Sequence, residues 1–117
     1  MQKLKIRRYK ASDNSVVWEL HGLGLLEIGV KPTPDNPLDQ DLYDIESIYL
    51  KDGDFIVGEL DGKVVAMVAF KKIDDKTAEL KRMRVHPDYQ RQGFGQQILE
   101  ELETRAKQMG YKKNDIR

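Results

Sequence analysis

The chain has 117 residues, and its 20 lysines and arginines balance 20 carboxylates, so its formal charge is zero and its pI is near 6.7. That balance offers no basic surface to nucleic acid or an anionic membrane, and the length allows one domain, residues 1–117. The absence of cysteine excludes disulfides and thiolate sites and makes the reducing cytoplasm the expected compartment, while two histidines, His21 and His86, argue against a metal site.

Leu4-Lys5-Ile6-Arg7-Arg8-Tyr9 alternates apolar with charged residues, as a half-buried first strand does. Ser12-Asp13 offers an N-cap for a helix carrying Val16, Val17 and Leu20, with Trp18 packed beside them and His21 at the helix end, facing its dipole. Pro32, Pro34 and Pro37 fall between Gly29 and Leu38, where they cannot continue a helix and predict a shaped loop of the kind that lines sites. Residues 39–50 read as a second helix, with Leu42, Ile45, Ile48 and Tyr49 on its apolar stripe and Asp41, Asp44 and Glu46 exposed. Tyr43, Tyr49 and Trp18 are assigned to the core.

Residues 55–60 and 63–70, joined by Asp61-Gly62, carry a β-hairpin pattern, and the second arm is so apolar that it is expected to be central. After a turn at residues 73–76 comes a strand over 77–85 whose apolar positions are Ala78 and Leu80, then Met83 and Val85. Their parity flips. One extra residue near Lys81-Arg82 restores a single apolar face, which predicts a β-bulge there. Ile98, Leu99, Leu102, Ala106 and Met109 then recur at helical spacing before Gly110. The order β-α-α-β-β-β-α predicts an α/β (α+β) fold with helices on both faces of a mixed sheet.

Between that last strand and helix lies His86-Pro87-Asp88-Tyr89-Gln90-Arg91-Gln92-Gly93-Phe94-Gly95-Gln96. Free amides and the positive dipole end at the start of a helix suit an anion, and paired glycines clear the approach. A dinucleotide fingerprint would place a third small residue where Ile98 stands, and a P-loop would require Gly-Lys-Ser/Thr, which is absent.

Gln90-x-x-Gly93-x-Gly95 after a bulged strand resembles the Gln/Arg-x-x-Gly-x-Gly/Ala acyl-CoA signature of the GNAT N-acetyltransferase superfamily, and the order of elements from the first strand to Gly110 is similar too. The resemblance implies a mostly antiparallel sheet flanked by helices, with acetyl-CoA as cosubstrate and no metal. It implies that backbone groups of Met83, Arg84 and Val85 pair with the pantetheine arm. Gln90 and the amides of Arg91, Gln92, Gly93, Phe94, Gly95 and Gln96 would hold the pyrophosphate, Arg91 adding charge.

Acetyl transfer needs a neutral amine, yet a lysine-type amine has a pKa of about 10.4, so a base is required. Glu79 corresponds to the catalytic glutamate of some lysine-acetylating members and is the candidate base; a solvated strand carboxylate paired with Lys81 or Arg82 is the other reading of it. A backbone amide near Met83 would meet the developing oxyanion. His86, preceding Pro87, reads as a surface or loop-packing residue, and Tyr89 either covers the glycine loop or packs its turn.

The implied function is transfer of an acetyl group to the primary amine of a small molecule or protein, with a CoA-binding module lacking turnover as the alternative. The Asp-rich second helix favours a cationic acceptor. The family's later strand, helix and closing hairpin do not follow Gly110, so the chain reads as C-terminally incomplete, and Tyr111 does not occupy the place of the family's later tyrosine acid. An uncovered sheet edge implies a homodimer, which light scattering would detect.

Overall fold

A computed structural model describes residues 2–112, 115 and 116. Strands β1 (Lys5–Arg8), β2 (Asp54–Leu60), β3 (Lys63–Asp74) and β4 (Thr77–Val85) lie in the order β1-β2-β3-β4, each antiparallel to its neighbour. Helix α1 (Asn14–Glu27) covers one face and α3 (Phe94–Gln108) the other, as the sequence predicts. Ile116 adds an isolated parallel bridge to Ala78 of β4. Among the described residues, no helix is long and apolar enough to cross a membrane.

The β2–β3 hairpin turns through Asp61 at φ 52° and Gly62 at φ 82°, the paired positive angles that a two-residue turn between twisted strands requires. Every residue of β3 from Val64 to Phe70 is buried, so this strand is the floor of both cores. Val65, Val68 and Phe70 meet Ile56 and the α3 stripe Phe94, Ile98, Leu102 and Ala106; Val64, Met67 and Ala69 meet Phe55, Val57 and the α1 residues Val17 and Leu20. The α3 stripe repeats every four residues, which keeps it on one side of the helix. Burying each of its larger side chains contributes about 1.5–3 kcal/mol. Met109, predicted to extend the stripe, lies past the end of α3 and is 45% exposed.

Other expectations need correction. α1 continues to Glu27, so His21 is not at a helix end; it is a buried mid-helix residue with Nε2 3.0 Å from Asp39 Oδ1. Asp13 occupies the N-cap position of α1 without capping it, because its carboxylate is taken by the Arg7 guanidinium at 2.7 and 2.8 Å and by the Lys10 amide at 2.9 Å. Residues 39–50 are not one helix. A 3-10 segment over Pro37–Tyr43 is followed by α2 (Ile45–Ile48), and Asp44 between them has φ −144° and ψ 53°. The interruption lets Leu42, Ile45 and Tyr49 enter the core while Asp39 and Asp41 turn inward to an arginine, an arrangement that hydrophobic periodicity does not encode. Tyr43, expected in the core, is 57% exposed; its hydroxyl donates to Pro34 O and its ring packs on Trp18.

Gly53 admits the chain into β2 under the backbone of Phe70, where a methyl group would sit 2.1 Å from the Phe70 carbonyl oxygen. Gly53→Ala is expected to destabilise the protein by about 1–3 kcal/mol, the usual cost of overpacking, as a lower urea midpoint with an unchanged m-value. An unmoved midpoint would contradict this account of the packing.

Candidate active site

The register of β3 with β4 runs Ala69↔Lys81 and then Met67↔Arg84, so β4 uses three residues where β3 uses two. This is the expected bulge. Arg82 stands in it at φ 59°, a left-handed angle that is costly for a residue with a Cβ. Ala78 and Leu80 before it and Met83 and Val85 beyond it all pack toward the α3 core, which is the parity change read from the sequence.

The backbone follows the same logic. The His86 amide donates to Val65 O at 2.8 Å, so alternation turns the amide and carbonyl groups of Val85 and Met83 to the outer edge of β4. No sheet strand covers that edge among the described residues. The Arg84 side chain goes the other way, to α1, where its guanidinium lies close over Gly24. Gln90 Nε2 donates to Val85 O at 3.0 Å and to Glu27 Oε1 at 3.1 Å, which pins the loop to both β4 and α1 and takes up the Val85 carbonyl. Sequence reasoning gave Gln90 to the ligand and did not find this tie.

Arg91 at φ 61° and Gly93 at φ 85° bend the loop into α3, with Arg91 and Gln92 exposed. Among the described residues no side chain caps α3, and Gly93 has none to offer, so the first amides of the helix have no intrahelical partner. Phe94 is 1% exposed and anchors the helix start in the core, leaving only its backbone for a ligand. A Cβ on Gly95 would make ordinary contacts with Met83 Cε at 3.5 Å and Val85 Cγ2 at 3.7 Å, so the bulged strand and the helix start abut here. Gln96 Nε2 reaches Glu100 at 3.0 Å. A cavity of about 390 Å³ continues from Gln96 past Leu99 to Leu80 and Ile116, along the edge of β4.

Glu79 lies on the sheet face opposite Ala78 and Leu80; its side chain is 47% exposed, with Lys81 Nζ at 3.8 Å. Both readings of it place a carboxylate there, and Lys81 rather than Arg82 is its neighbour. His86 Nδ1 accepts from the Asp88 amide at 3.1 Å and its ring meets Tyr89 edge-on, so both residues pack the turn.

The sequence places Arg82 near the bulge and offers it as one of two partners for Glu79; the structure gives it to Asp39 and Asp41 instead. Its guanidinium donates to Asp41, to Asp39 at 3.2 Å and to Leu38 O at 2.6 Å, and it is 11% exposed. Asp41 also accepts from the Tyr49 hydroxyl. Burial alone would raise the Asp41 carboxyl, but Arg82 and Tyr49 outweigh it and hold Asp41 below the ordinary carboxylate range. Burial, with Asp41 alongside, pushes the Tyr49 phenol up. The parity break carried the signal for this arginine, since a bulge residue needs something to hold it.

The site thus combines a four-stranded antiparallel sheet between two helices with a bulged strand that abuts a helix start. An acetyltransferase of the GNAT family from Staphylococcus aureus Mu50 superposes with a TM-score of 0.80 at 23% identity, over 90% of this chain and 67% of that one. A predicted acetyltransferase from Clostridium acetobutylicum, solved with acetyl-CoA, does so with a TM-score of 0.75 at 18% identity, over 97% and 79%. The model of the acetyltransferase (GNAT) family matches residues 20–115, and the chain belongs to that family. It is also 41% identical over 61 residues to an amino-acid acetyltransferase of Azotobacter vinelandii, a match that covers 51% of this chain and 14% of that protein.

A carboxyl held below its unfolded range contributes stability above the unfolded pKa, about 3.9, and loses it as pH falls through the folded value. Unfolding free energy should therefore drop below about pH 4, and less steeply in Asp41→Asn. Parallel pH profiles for the two proteins would contradict the assignment.

Proposed function

We propose that residues 1–117 form the acetyl-transferring domain of a cytoplasmic acetyl-CoA-dependent N-acetyltransferase acting on a primary amine. The observation that carries this reading is the abutment of the bulged strand on the helix start: Met83 and Val85 lie against Gly95, so an open strand edge and uncapped helix amides form one continuous, elongated surface. A peptide-like arm ending in a diphosphate fits such a surface. The arm would pair with the outward amides of Met83 and Val85, and the diphosphate would take the amides from Arg91 to Gln96.

In the transfer, Glu79 removes the proton of the acceptor ammonium directly or through one water. The nitrogen attacks the thioester carbonyl, the N–C bond forms, the C–S bond breaks with its electron pair leaving on sulfur, and the proton shed by the attacking nitrogen passes to that thiolate, giving the amide and the CoA thiol. The Met83 amide supports the negative charge that develops on the carbonyl oxygen. The activity named for the Azotobacter vinelandii relative makes amino acids the first acceptors to try. A CoA-binding module without turnover is the second reading, favoured by the exposure of Glu79 and its Lys81 neighbour.

Calorimetry is expected to detect acetyl-CoA, and thiol release over an amine panel is expected to detect turnover. Glu79→Gln should lower kcat by about 10²-fold or more, most severely at low pH, where little free amine exists to bypass the base. Binding with no turnover supports the second reading, and a pH profile unchanged by Glu79→Gln removes Glu79 from the chemistry.

A further inference from the structure

We infer that Arg82 is a positioning residue that locks the acceptor-side segment, Pro37–Tyr43, onto the bulge from which the Met83 amide projects. This rests on the acetyltransferase reading above. Arg82 directly precedes Met83, and its own backbone is held at φ 59°. From there its guanidinium makes the contacts that define the segment: the carboxylates of Asp39 and Asp41 and the carbonyl of Leu38. Asp39 and Asp41 have side chains only 8% and 14% exposed, so neither has water enough to replace the arginine.

The far side of the cluster is equally fixed. Asp39 stands 3.0 Å from the buried His21 of α1, and Asp41 accepts from Tyr49, which is fully buried beside Phe55. One planar fork therefore joins four pieces of chain: β4, the 3-10 segment, α1 and the end of α2. A lysine could supply the charge but not the parallel donors that reach two carboxylates and a carbonyl together.

Glu79 lies on the same face of β4 as this segment, away from Ala78 and Leu80. On the proposed reading the acceptor amine approaches Glu79 from this face, the face on which Arg82 holds the segment. The donor side depends on the backbone beyond the bulge and on the glycine loop, which Gln90 secures independently through Val85 and Glu27. Loosening the arginine fork should consequently affect the amine much more than acetyl-CoA.

Three variants test this: Arg82→Lys keeps the charge, Arg82→Gly keeps the left-handed angle, and Arg82→Gly/Asp39→Asn/Asp41→Asn removes the buried charges together should Arg82→Gly fail to fold. For Arg82→Lys, calorimetry should give an acetyl-CoA Kd within about twofold of wild type, while KM for the best amine of an amino-acid and polyamine panel rises about tenfold or more. Amide exchange should accelerate in residues 38–44 and stay unchanged in the α3 core. Donor and amine constants that shift together, or an exchange increase spread over the whole sheet, would overturn the proposal. If wild type fails to bind acetyl-CoA, the acetyltransferase reading falls, and the exchange pattern still decides whether Arg82 holds the segment.

Discussion

Arg82 holds a left-handed angle in the middle of a strand, and the one-residue insertion it occupies sets which way every later side chain of β4 faces. An αL conformation costs a residue with a side chain about 1–2 kcal/mol, so it persists only where surrounding contacts over-determine it. Here the β3 pairing on both sides of the bulge, Ala69↔Lys81 and Met67↔Arg84, holds it, and the arginine's bonds to two carboxylates and a carbonyl tie the Pro37–Tyr43 segment to it. Were β4 regular through Arg82, Met83 and Val85 would face α1, and Arg84 would be driven into the α3 core.

Because the bulge sits where it does, β4 serves two partners in succession. Its first half pairs with β3 and packs Ala78 and Leu80 over α3; its second half still pairs with β3 but turns its free amides to an edge that leads into the glycine loop. The loop in turn is fixed from three directions. Phe94 enters the core, Gln90 bonds to β4 and α1, and Gly93 supplies the angle that starts α3 without a capping side chain. The open positions in this region are thus backbone amides fixed by the core, β4 and α1, as the proposed diphosphate site requires.

The sequence made the skeleton of this arrangement readable. The Asp61-Gly62 turn, the central β3, the bulge near Arg82 and the helix beginning at the paired glycines follow from period, turn chemistry and parity, which are local signals. What it concealed was long-range polar pairing. Nothing near residue 39 says that Asp39 and Asp41 will meet an arginine more than 40 positions away, so the segment looked like a solvated helix with a regular stripe. His21 is a similar case, since its apolar neighbours give no sign that α1 continues to Glu27. Gln90 was seen as part of a signature, and its bonds to Val85 and Glu27 depend on folds of chain that meet only in three dimensions.

On the function proposed above, the edge of β4 beyond the bulge and the start of α3 form one ligand surface. A ¹⁵N amide titration with CoA maps that surface residue by residue. The largest shifts are expected at Met83, Val85 and Gly93 to Gln96, with saturation at a common affinity. Shifts confined to the other cavity, between β1 and α3 around Lys3, Gln97 and Thr104, or two groups of shifts with separate affinities, would contradict it.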